Sequence, residues 1–486
     1  MNAPRPSAPA LDRRAFLTSA LAVSTAALAA SRPSAGAAIA LTGRRELFVD
    51  DFLIERLAGA ALRLHPPEAR DVAITCDAPW EGNTSAYYTV FQDGDLVRMY
   101  YRGSHHDAAT DRATHPEFTC YAESRDGLTF TKPKLGLFEH GGSKDNNIVW
   151  TGEGTHCFAP FRDPNPACPP AARYKALAAG STRIEGRKQS CLHAYHSADG
   201  VRWARTRPEP VLTAGAFDSQ NIAFWDAERG EYRAYWRWFD RDRTDANGAK
   251  LENVRAIRTA TSRDFLTWIN QADLRYGDAP REHLYTNAVM PYFRAPHLFI
   301  GFPTRYQAKT QQVEPVFMSS RDGVNFRRWP KELIPITAPK DRDGNRANYM
   351  TRGLVQLPGR PRELSVYATE AYYTGTGSRV RRFTFRTDGF VSVNAAQAGS
   401  LLTKPLVPGR QPLLVNLVSR GVTRVEAQDL NGRPLPGFSL ADCAPLKGDF
   451  LDAAVAWQGG SLAKLAGQTV RLRFELNDAD LFALQA

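Results

Sequence analysis

Four acidic residues lie beside runs of apolar and aromatic residues with the alternation of β-strands, and they are Glu81, Asp163, Asp218 and Glu282. Two carboxyl groups on either side of a glycosidic bond can hydrolyse it. One donates a proton to the leaving oxygen, and the other attacks the sugar or activates water. Because the four acids are far apart in the chain, a fold must bring them together before any pair can act in this way.

Residues near these acids could bind a sugar through hydroxyl contacts, ring stacking or charge. The candidates are Trp80, Arg162, Gln220, Asn221, His283, Tyr285 and Arg305. Structural alternatives are open for the acids: Asp163 suits a solvent-facing turn, Glu81 a surface loop, and the polar run from Asp218 a strand cap. Asp50 and Asp51 compete with Glu81 for the same position.

A short phrase recurs along the chain and indicates how the strands are organised. It reads SRDGLTF from Ser124, SADGVRW from Ser197, SRDFLTW from Ser262 and SRDGVNF from Ser320, with a looser copy, RTDGFVSV, from Arg386. Such a repeat after strand-like runs is typical of a β-propeller, and five copies predict five blades. Ser and Asp should bond the turn backbone, Gly should take a positive φ, and the last aromatic should pack between sheets. The phrase is therefore expected to be scaffold rather than catalytic.

The predicted fold is all-β, with a five-bladed β-propeller over residues 41–395 and a C-terminal β-sandwich over residues 396–486. A propeller arranges its inner strands around a central funnel, so acids near those strands should converge there. Alternating runs such as Leu413–Leu417 and Thr469–Phe474 indicate the sandwich. The segment 46–54 is expected either to add a strand to one of the two domains or to close the ring.

Residues 1–40 have the pattern of a targeting segment. Arg13-Arg14 precede Phe16-Leu17 and an alanine-rich apolar stretch, which resembles a twin-arginine export signal. We therefore expect export to the periplasm or beyond the cell. We expect no stable membrane insertion once the segment is cleaved.

Charge and cysteine content bear on partners. The formal net charge is +11, but the arginines are scattered, which disfavours a nucleic-acid partner. A general enrichment in arginine explains the charge better than any ligand does, and an acidic glycan is the better explanation only if the charge serves a partner. Among the six cysteines, Cys157 and Cys168 could form a disulfide in an oxidising compartment. No pair has C-x-x-C spacing, so neither a metal nor another cofactor is expected.

The tripeptide Arg162-Asp163-Pro164, placed before the second strand of blade two, resembles a motif of glycoside hydrolase family 32, the invertases and levanases, and of its family 43 relatives. The resemblance implies a five-bladed propeller hydrolase in which Asp163 holds sugar hydroxyls in the transition state. It places Asp218 at the family's general acid, where glutamate is usual. The family's blade-one nucleophile motif is absent, which leaves Glu81 as the nearest acid and Glu282 as a candidate for the missing proton donor.

The sequence thus predicts an exported glycoside hydrolase that acts on an oligo- or polysaccharide with paired carboxylates in the propeller funnel. Other classes stay open. A propeller lacking the blade-one motif could bind glycans without cleaving them, and His283, Tyr285 and Arg305 could serve a polysaccharide lyase acting on a uronate. A phosphorylase acting on mannosides agrees less well with export.

Overall fold

Five antiparallel sheets of the blade type follow one another along the chain, as the repeated phrase predicts. The computed structural model describes residues 38–41, 43–240, 253–336 and 348–486, and residues 38–486 group as one unit. The predicted export motif at Arg13-Arg14 lies outside the described residues.

The blades have three to five strands of differing length. Blade one comprises Ala86–Asp93, Leu96–Gly103, Phe118–Ser124 and Ile148–Thr151. Blade two comprises Ala159–Arg162, Tyr174–Ile184, Arg187–Ser197 and Ala204–Arg205. Blade three comprises Ile222–Asp226, Glu231–Asp240, Val254–Ser262 and Ile269–Asp273. Blade four comprises Met290–Tyr292, Ala295–Gly301, Gln312–Ser320 and Phe326–Glu332, with Thr304–Gln307 also paired to its third strand.

Blade five is completed by a strand from far earlier in the chain. Its central strands are Glu363–Glu370 and Arg379–Arg386, and Glu68–Thr75 pairs with the latter. Because Glu68–Thr75 precedes blade one, this pairing closes the ring between the two ends of the propeller.

The segment 353–357, where the inner strand of blade five would lie, is not a continuous strand. Single bridges join Thr89 to Arg352, Met350 to Ala368 and Val355 to Ser365. Gly353 has a φ of 140°, and a Cβ there would meet the Val90 carbonyl at 2.0 Å. The close approach of the blade-one strand therefore breaks the regular extension of this segment.

The repeated phrase forms the turn between the third and fourth strands of blades one to four. In blade one, the Ser124 hydroxyl accepts a hydrogen bond from the Gly127 N–H at 2.9 Å, and Asp126 accepts from Leu128 at 2.8 Å. The residue after the aspartate has a positive φ in all four turns: Gly127, Gly200, Phe265 and Gly323. The final aromatics are buried: Phe130, Trp203, Trp268 and Phe326. The predicted scaffold role of the phrase is confirmed.

The C-terminal region forms one seven-stranded sheet. Its order is Ile54–Ala58, Val391–Thr403, Arg471–Gln485, Leu414–Gln428 and Leu446–Ala454, with Arg45–Leu47 and Ala61–Leu64 added alongside. Its long strands carry register shifts, for example between Ser419 and Arg424, and its apolar core includes Leu417 and Phe474. The start of the segment 46–54 thus joins this sheet rather than closing the ring. A two-layered sandwich remains a prediction.

The remaining described elements are short. They are the parallel pair Ile39–Ala40 and Leu406–Val407, the hairpin His106–Asp107 and Arg112–Ala113, and the 3-10 helices Thr155–Cys157, Pro170–Ala172 and Leu462–Leu465. No helix among the described residues has the length and hydropathy needed to cross a membrane. All six cysteines are free thiols, so the predicted Cys157–Cys168 disulfide is wrong: the Cys157 side chain is buried and the Cys168 sulfur contacts Lys175 at 2.9 Å.

Candidate functional site

A cavity of about 660 Å³ opens at the end of the ring where the inner strands begin. Its walls include Tyr285, Tyr306, Tyr349, Tyr372 and Arg255. Tyrosines offer ring faces on which sugars stack and hydroxyls that bond to sugar hydroxyls. The cavity is therefore of a size and composition that suits a saccharide.

Each of the five blades contributes one residue near the start of its inner strand to a set of neighbouring side chains: Tyr87, His156, Asp218, Tyr285 and Tyr349. Tyr285 and Tyr349 line the cavity, and the other three adjoin them. The Tyr87 ring lies 5.4 Å from that of His156 and 6.4 Å from that of Tyr349, which lies 5.9 Å from Tyr285. His156 bonds Asp218 at 2.7 Å. The propeller thus brings together residues that are far apart in sequence.

Backbone strain accompanies this arrangement at Tyr87. Tyr87 has a φ of 58°, and the pairing with the second strand shifts register between Ala86 and Thr89. A bulge of this kind redirects a side chain, and strain at a non-glycine residue is often kept at functional sites.

A charge chain, a series of side chains of alternating charge, lies next to the cavity and is joined to its wall by Arg102, which donates a hydrogen bond to the Tyr372 hydroxyl at 3.0 Å. The order is Arg102, Glu117, His156, Asp218 and Arg237. The Glu117 carboxylate lies 3.4 Å from Arg102 and 2.9 Å from His156 Nδ1, while Asp218 lies 2.7 Å from His156 Nε2 and 3.4 Å from Arg237. Each carboxylate therefore sits between two cationic groups.

Among the titratable members of this charge chain, His156 is the one that carries a proton. Burial opposes its charge, yet the adjacent Cys157 sulfur and the carboxylates of Asp218 and Glu117 raise the pKa of His156 far above its usual range. Burial opposes ionisation of the two acids, but the hydrogen bonds from His156 lower the pKa of Glu117 and of Asp218. At neutral pH the charge chain therefore contains one imidazolium between two carboxylates.

One of the sequence-predicted residues lines this cavity, and a second lies next to it. The second is Asp218 of the charge chain, whose side chain is 66% exposed and so is accessible to solvent and to a ligand. Tyr285 forms part of the wall, and the Arg237 guanidinium lies 4.5 Å from its ring centroid.

Asp163 and Arg162 lie at the opposite end of the blade-two inner strand from His156. The buried Asp163 carboxylate pairs with Lys175 at 2.5 Å and accepts a hydrogen bond from Tyr232 at 2.6 Å. Arg162 pairs with Asp93, at the far end of the blade-one inner strand. These contacts give both residues a structural environment away from the cavity.

Glu81 and Trp80 lie in the loop that precedes the inner strand of blade one. The Glu81 carboxylate is buried, accepts a hydrogen bond from the Tyr101 hydroxyl at 2.5 Å and pairs with Lys132 at 2.6 Å. The Trp80 indole N–H donates to Asn147 at 2.6 Å. The structure gives this acid a fixed, internally satisfied position.

Glu282 and Arg305 belong to an ion-pair cluster beside the cavity. Glu282 pairs with Arg305 at 3.0 Å and also with Arg328, and Arg305 pairs with Glu314 at 2.6 Å. Glu282 borders a second cavity of about 540 Å³, on the other side of Arg255, which lines both cavities. His283 accepts a hydrogen bond from the Arg255 N–H at 3.2 Å, and so supports the wall of the main cavity from behind.

Gln220 and Asn221 are buried. The Gln220 amide donates to the Tyr88 carbonyl at 2.8 Å and to the Thr89 hydroxyl at 3.1 Å, which ties blade three to blade one. Asn221 donates to the Ser219 carbonyl at 2.7 Å. Both contacts hold the inner strands in place.

Sequence reasoning missed His156, Glu117, Arg102, Arg237 and Arg255. His156 lies just before the inner strand of blade two, as Asp218 lies just before that of blade three. The repeat therefore locates both positions, and a search for acids alone passes over the histidine. Glu117 precedes the third strand of blade one, a position that a search restricted to inner strands excludes.

The described residues contain no group of three or more His, Cys, Asp and Glu side chains arranged to hold a metal ion. The charge chain beside the cavity is instead balanced internally by its own arginines and histidine.

Comparison with known proteins finds similarity at the level of structure. No protein-family model and no curated protein sequence matches the chain. A Bombyx mori β-fructofuranosidase of glycoside hydrolase family 32 is similar at 9% identity over 87% of this chain and 93% of its own, with a TM-score of 0.38. An endo-arabinase from Bacteroides thetaiotaomicron is similar at 8% identity over 65% and 98%, with a TM-score of 0.41. An N-acetylgalactosamine deacetylase from F. plautii is similar at 12% identity over 68% and 96%, with a TM-score of 0.45.

Glycoside hydrolases are thus among the solved structures to which the chain is similar.

Proposed function

We propose that the protein is an exported glycoside hydrolase whose active site is the tyrosine-walled cavity at the start of the inner strands. The observation that carries this proposal is His156, held between the carboxylates of Glu117 and Asp218 beside the cavity. A proton carrier and an ionised carboxylate side by side are the two groups that hydrolysis of a glycosidic bond needs. Export rests on the twin-arginine motif of the sequence.

The chemistry divides between Asp218 and His156. Asp218, ionised and exposed, activates the attacking water as general base. His156, protonated at neutral pH, donates its Nε2 proton to the leaving oxygen, which replaces Asp218 as the hydrogen-bond partner of that nitrogen. Glu117 touches no sugar in this scheme: it orients the imidazole and keeps it charged, as the third member of an acid–histidine relay does. Arg102 and Arg237 keep the two carboxylates ionised.

A polysaccharide lyase is the second candidate, favoured by the Arg237 and Arg255 guanidiniums that lie 4.5 Å and 5.5 Å from the Tyr285 ring. A lyase neutralises a uronate carboxylate with cationic groups while a base removes the neighbouring proton. Tyr285 and His156 could supply that base and the acid.

The test is incubation of the protein with plant, algal and bacterial glycans, followed by product analysis. Hydrolysis releases reducing ends without ultraviolet absorbance, whereas a lyase creates an absorbing double bond. Asp218→Asn should lower kcat at least about 100-fold, because general-base catalysis contributes that much or more. Asp95→Asn, at an exposed turn of blade one, is the matched control and should retain full activity. An Asp218→Asn protein with unchanged kcat would show that the catalytic assignment is wrong.

A further inference from the structure

Arg255 stands at the wall of the cavity in a fixed position. It lies in the third strand of blade three, its N–H donates to His283 at 3.2 Å, and its carbonyl accepts from the Leu284 N–H at 2.9 Å. Its guanidinium carbon lies 4.2 Å from the ring centroid of Tyr306 and 5.5 Å from that of Tyr285. Stacking on these rings fixes the plane of the guanidinium and leaves its edge for a ligand.

Arg255 differs from the neighbouring arginines in its ion pairing. Arg102 pairs with Glu117, and Arg237 pairs with Asp218, each at 3.4 Å. Within the described ranges, no carboxylate pairs with Arg255, and its buried Nε has no hydrogen-bond partner. A partly buried guanidinium with an unpaired donor is costly unless an anion completes it.

We propose that Arg255 binds the anionic group of an acidic sugar, either a uronate carboxylate or a sulfate ester. This inference rests on the proposed function and names its substrate class. The planar donor fork of arginine matches the oxygens of either anion in a bidentate contact. The positive formal charge of the chain, +11, would also attract a polyanionic glycan to the cavity.

Arg255 lies near the catalytic carboxylate, which limits the distance between the bound anion and the bond that is cleaved. Arg237 contacts both Asp218 and the face of Tyr285, and Arg255 contacts the same tyrosine. One aromatic ring therefore separates the anion site from the catalytic carboxylate. The charged group belongs to the sugar unit at the scissile bond or to the unit next to it.

The test measures binding by calorimetry at physiological salt in an Asp218→Asn background, which keeps the ligand intact. The probes are oligosaccharides of polygalacturonate, alginate and glucuronoxylan, their carboxyl-reduced neutral forms, and those neutral forms carrying a sulfate ester. Arg255→Gln should weaken binding of the acidic forms about 10- to 100-fold, the effect of losing a charged bidentate hydrogen bond. It should change binding of the neutral forms less than about threefold. Arg255→Lys, which keeps the charge but loses the fork, should fall between the two.

Retained binding of the neutral forms by Arg255→Gln shows that the variant is folded. Arg187→Gln, on an exposed hairpin, is the matched control and should bind all probes as the parent does. Preference for the carboxylate or for the sulfate forms distinguishes the two anions. Equal affinity for acidic and neutral forms, or unchanged binding by Arg255→Gln, overturns the inference.

The two proposals fail separately. Cleavage of neutral glycans without a preference for acidic ones overturns the substrate class and leaves the hydrolase standing. Arg255-dependent binding of acidic glycans without any cleavage by the unmodified protein overturns the hydrolase and leaves the anion site standing.

Discussion

His156 contacts a carboxylate at each of its two ring nitrogens, and a histidine that donates from both nitrogens is an imidazolium. Its raised pKa means that the proton stays on the ring through neutral pH and leaves only on the alkaline side. The stability that this pairing contributes is fully present below the ordinary histidine pKa and is lost as pH rises through the folded-state value. Glu117 is thus expected to set where activity declines at high pH.

Glu117→Gln should move the alkaline limb of the kcat/KM profile to lower pH by about 1 to 2 units. The amide can still accept a hydrogen bond, but it removes one of the charges that keep His156 protonated. The measurement is kcat/KM against pH with a cleaved glycan. Glu139→Gln, at an exposed loop, should leave both limbs in place. An unchanged alkaline limb in Glu117→Gln would mean that His156 is not the proton donor.

Asp163 provides the contrasting case of an acid whose contacts are structural. Asp163→Asn should leave kcat within about twofold of the parent, since the carboxylate lies at the far end of the inner strand. It should lower the free energy of unfolding by about 3 kcal/mol, because the buried Lys175 ammonium loses its counterion. Denaturant unfolding and steady-state kinetics on the same preparation separate the two effects. A large loss of kcat with unchanged stability would restore the catalytic role implied by the sequence resemblance.

At the level of elements, the turn formed by the repeated phrase requires a positive φ after the aspartate, and different residues meet this requirement. Blades one, two and four place glycine after the aspartate, and blade three places Phe265 there with a φ of 68°. The Phe265 ring is buried against Phe161, Tyr232 and Trp268. Packing therefore offsets a left-handed strain of about 1 to 2 kcal/mol.

Phe265→Gly should lower stability despite relieving that strain. Deleting a buried phenylalanine costs about 3 to 5 kcal/mol, so the net loss should be about 2 kcal/mol in the free energy of unfolding. Thermal or denaturant unfolding measures it. A variant more stable than the parent would show that the conformation at this turn, rather than its packing, limits blade three.

The blades could be predicted from sequence because the phrase depends on local chemistry: serine, aspartate and a positive φ within four residues. The site could be predicted only in part, since a strand pattern does not reveal which end of a strand faces the funnel. Asp218 precedes its inner strand and lies at the cavity end of the ring, whereas Asp163 follows its inner strand and ends at the opposite side. Arg102, on the second strand of blade one, and Glu117, just before the third, meet His156 of blade two in contacts that the sequence does not reveal.

Across the whole molecule, one buried carboxylate joins the propeller to the C-terminal sheet. Asp388, in the loosest copy of the phrase, pairs with Arg45 from that sheet and with Arg294 from blade four, both at 2.9 Å. It also accepts hydrogen bonds from Tyr292 at 2.5 Å and from Asn416 at 3.2 Å. In this copy the aspartate itself has the positive φ, 62°, so the phrase here serves a joint between two regions rather than a blade turn.

Asp388→Asn should lower the free energy of unfolding by about 3 kcal/mol or more, because both arginines lose a buried partner. Since residues 38–486 group as one unit, the blades and the C-terminal sheet should still unfold together. Hydrogen exchange of peptides from blade four and from Leu414–Gln428, followed through denaturant, tests both points. Asp95→Asn should match the parent in both. If the C-terminal peptides exchange well before those of blade four in the parent protein, the two regions are independent and Asp388 does not join them. If both sets of peptides exchange at the same denaturant concentration, and Asp388→Asn lowers that concentration for both, Asp388 couples the propeller to the C-terminal sheet.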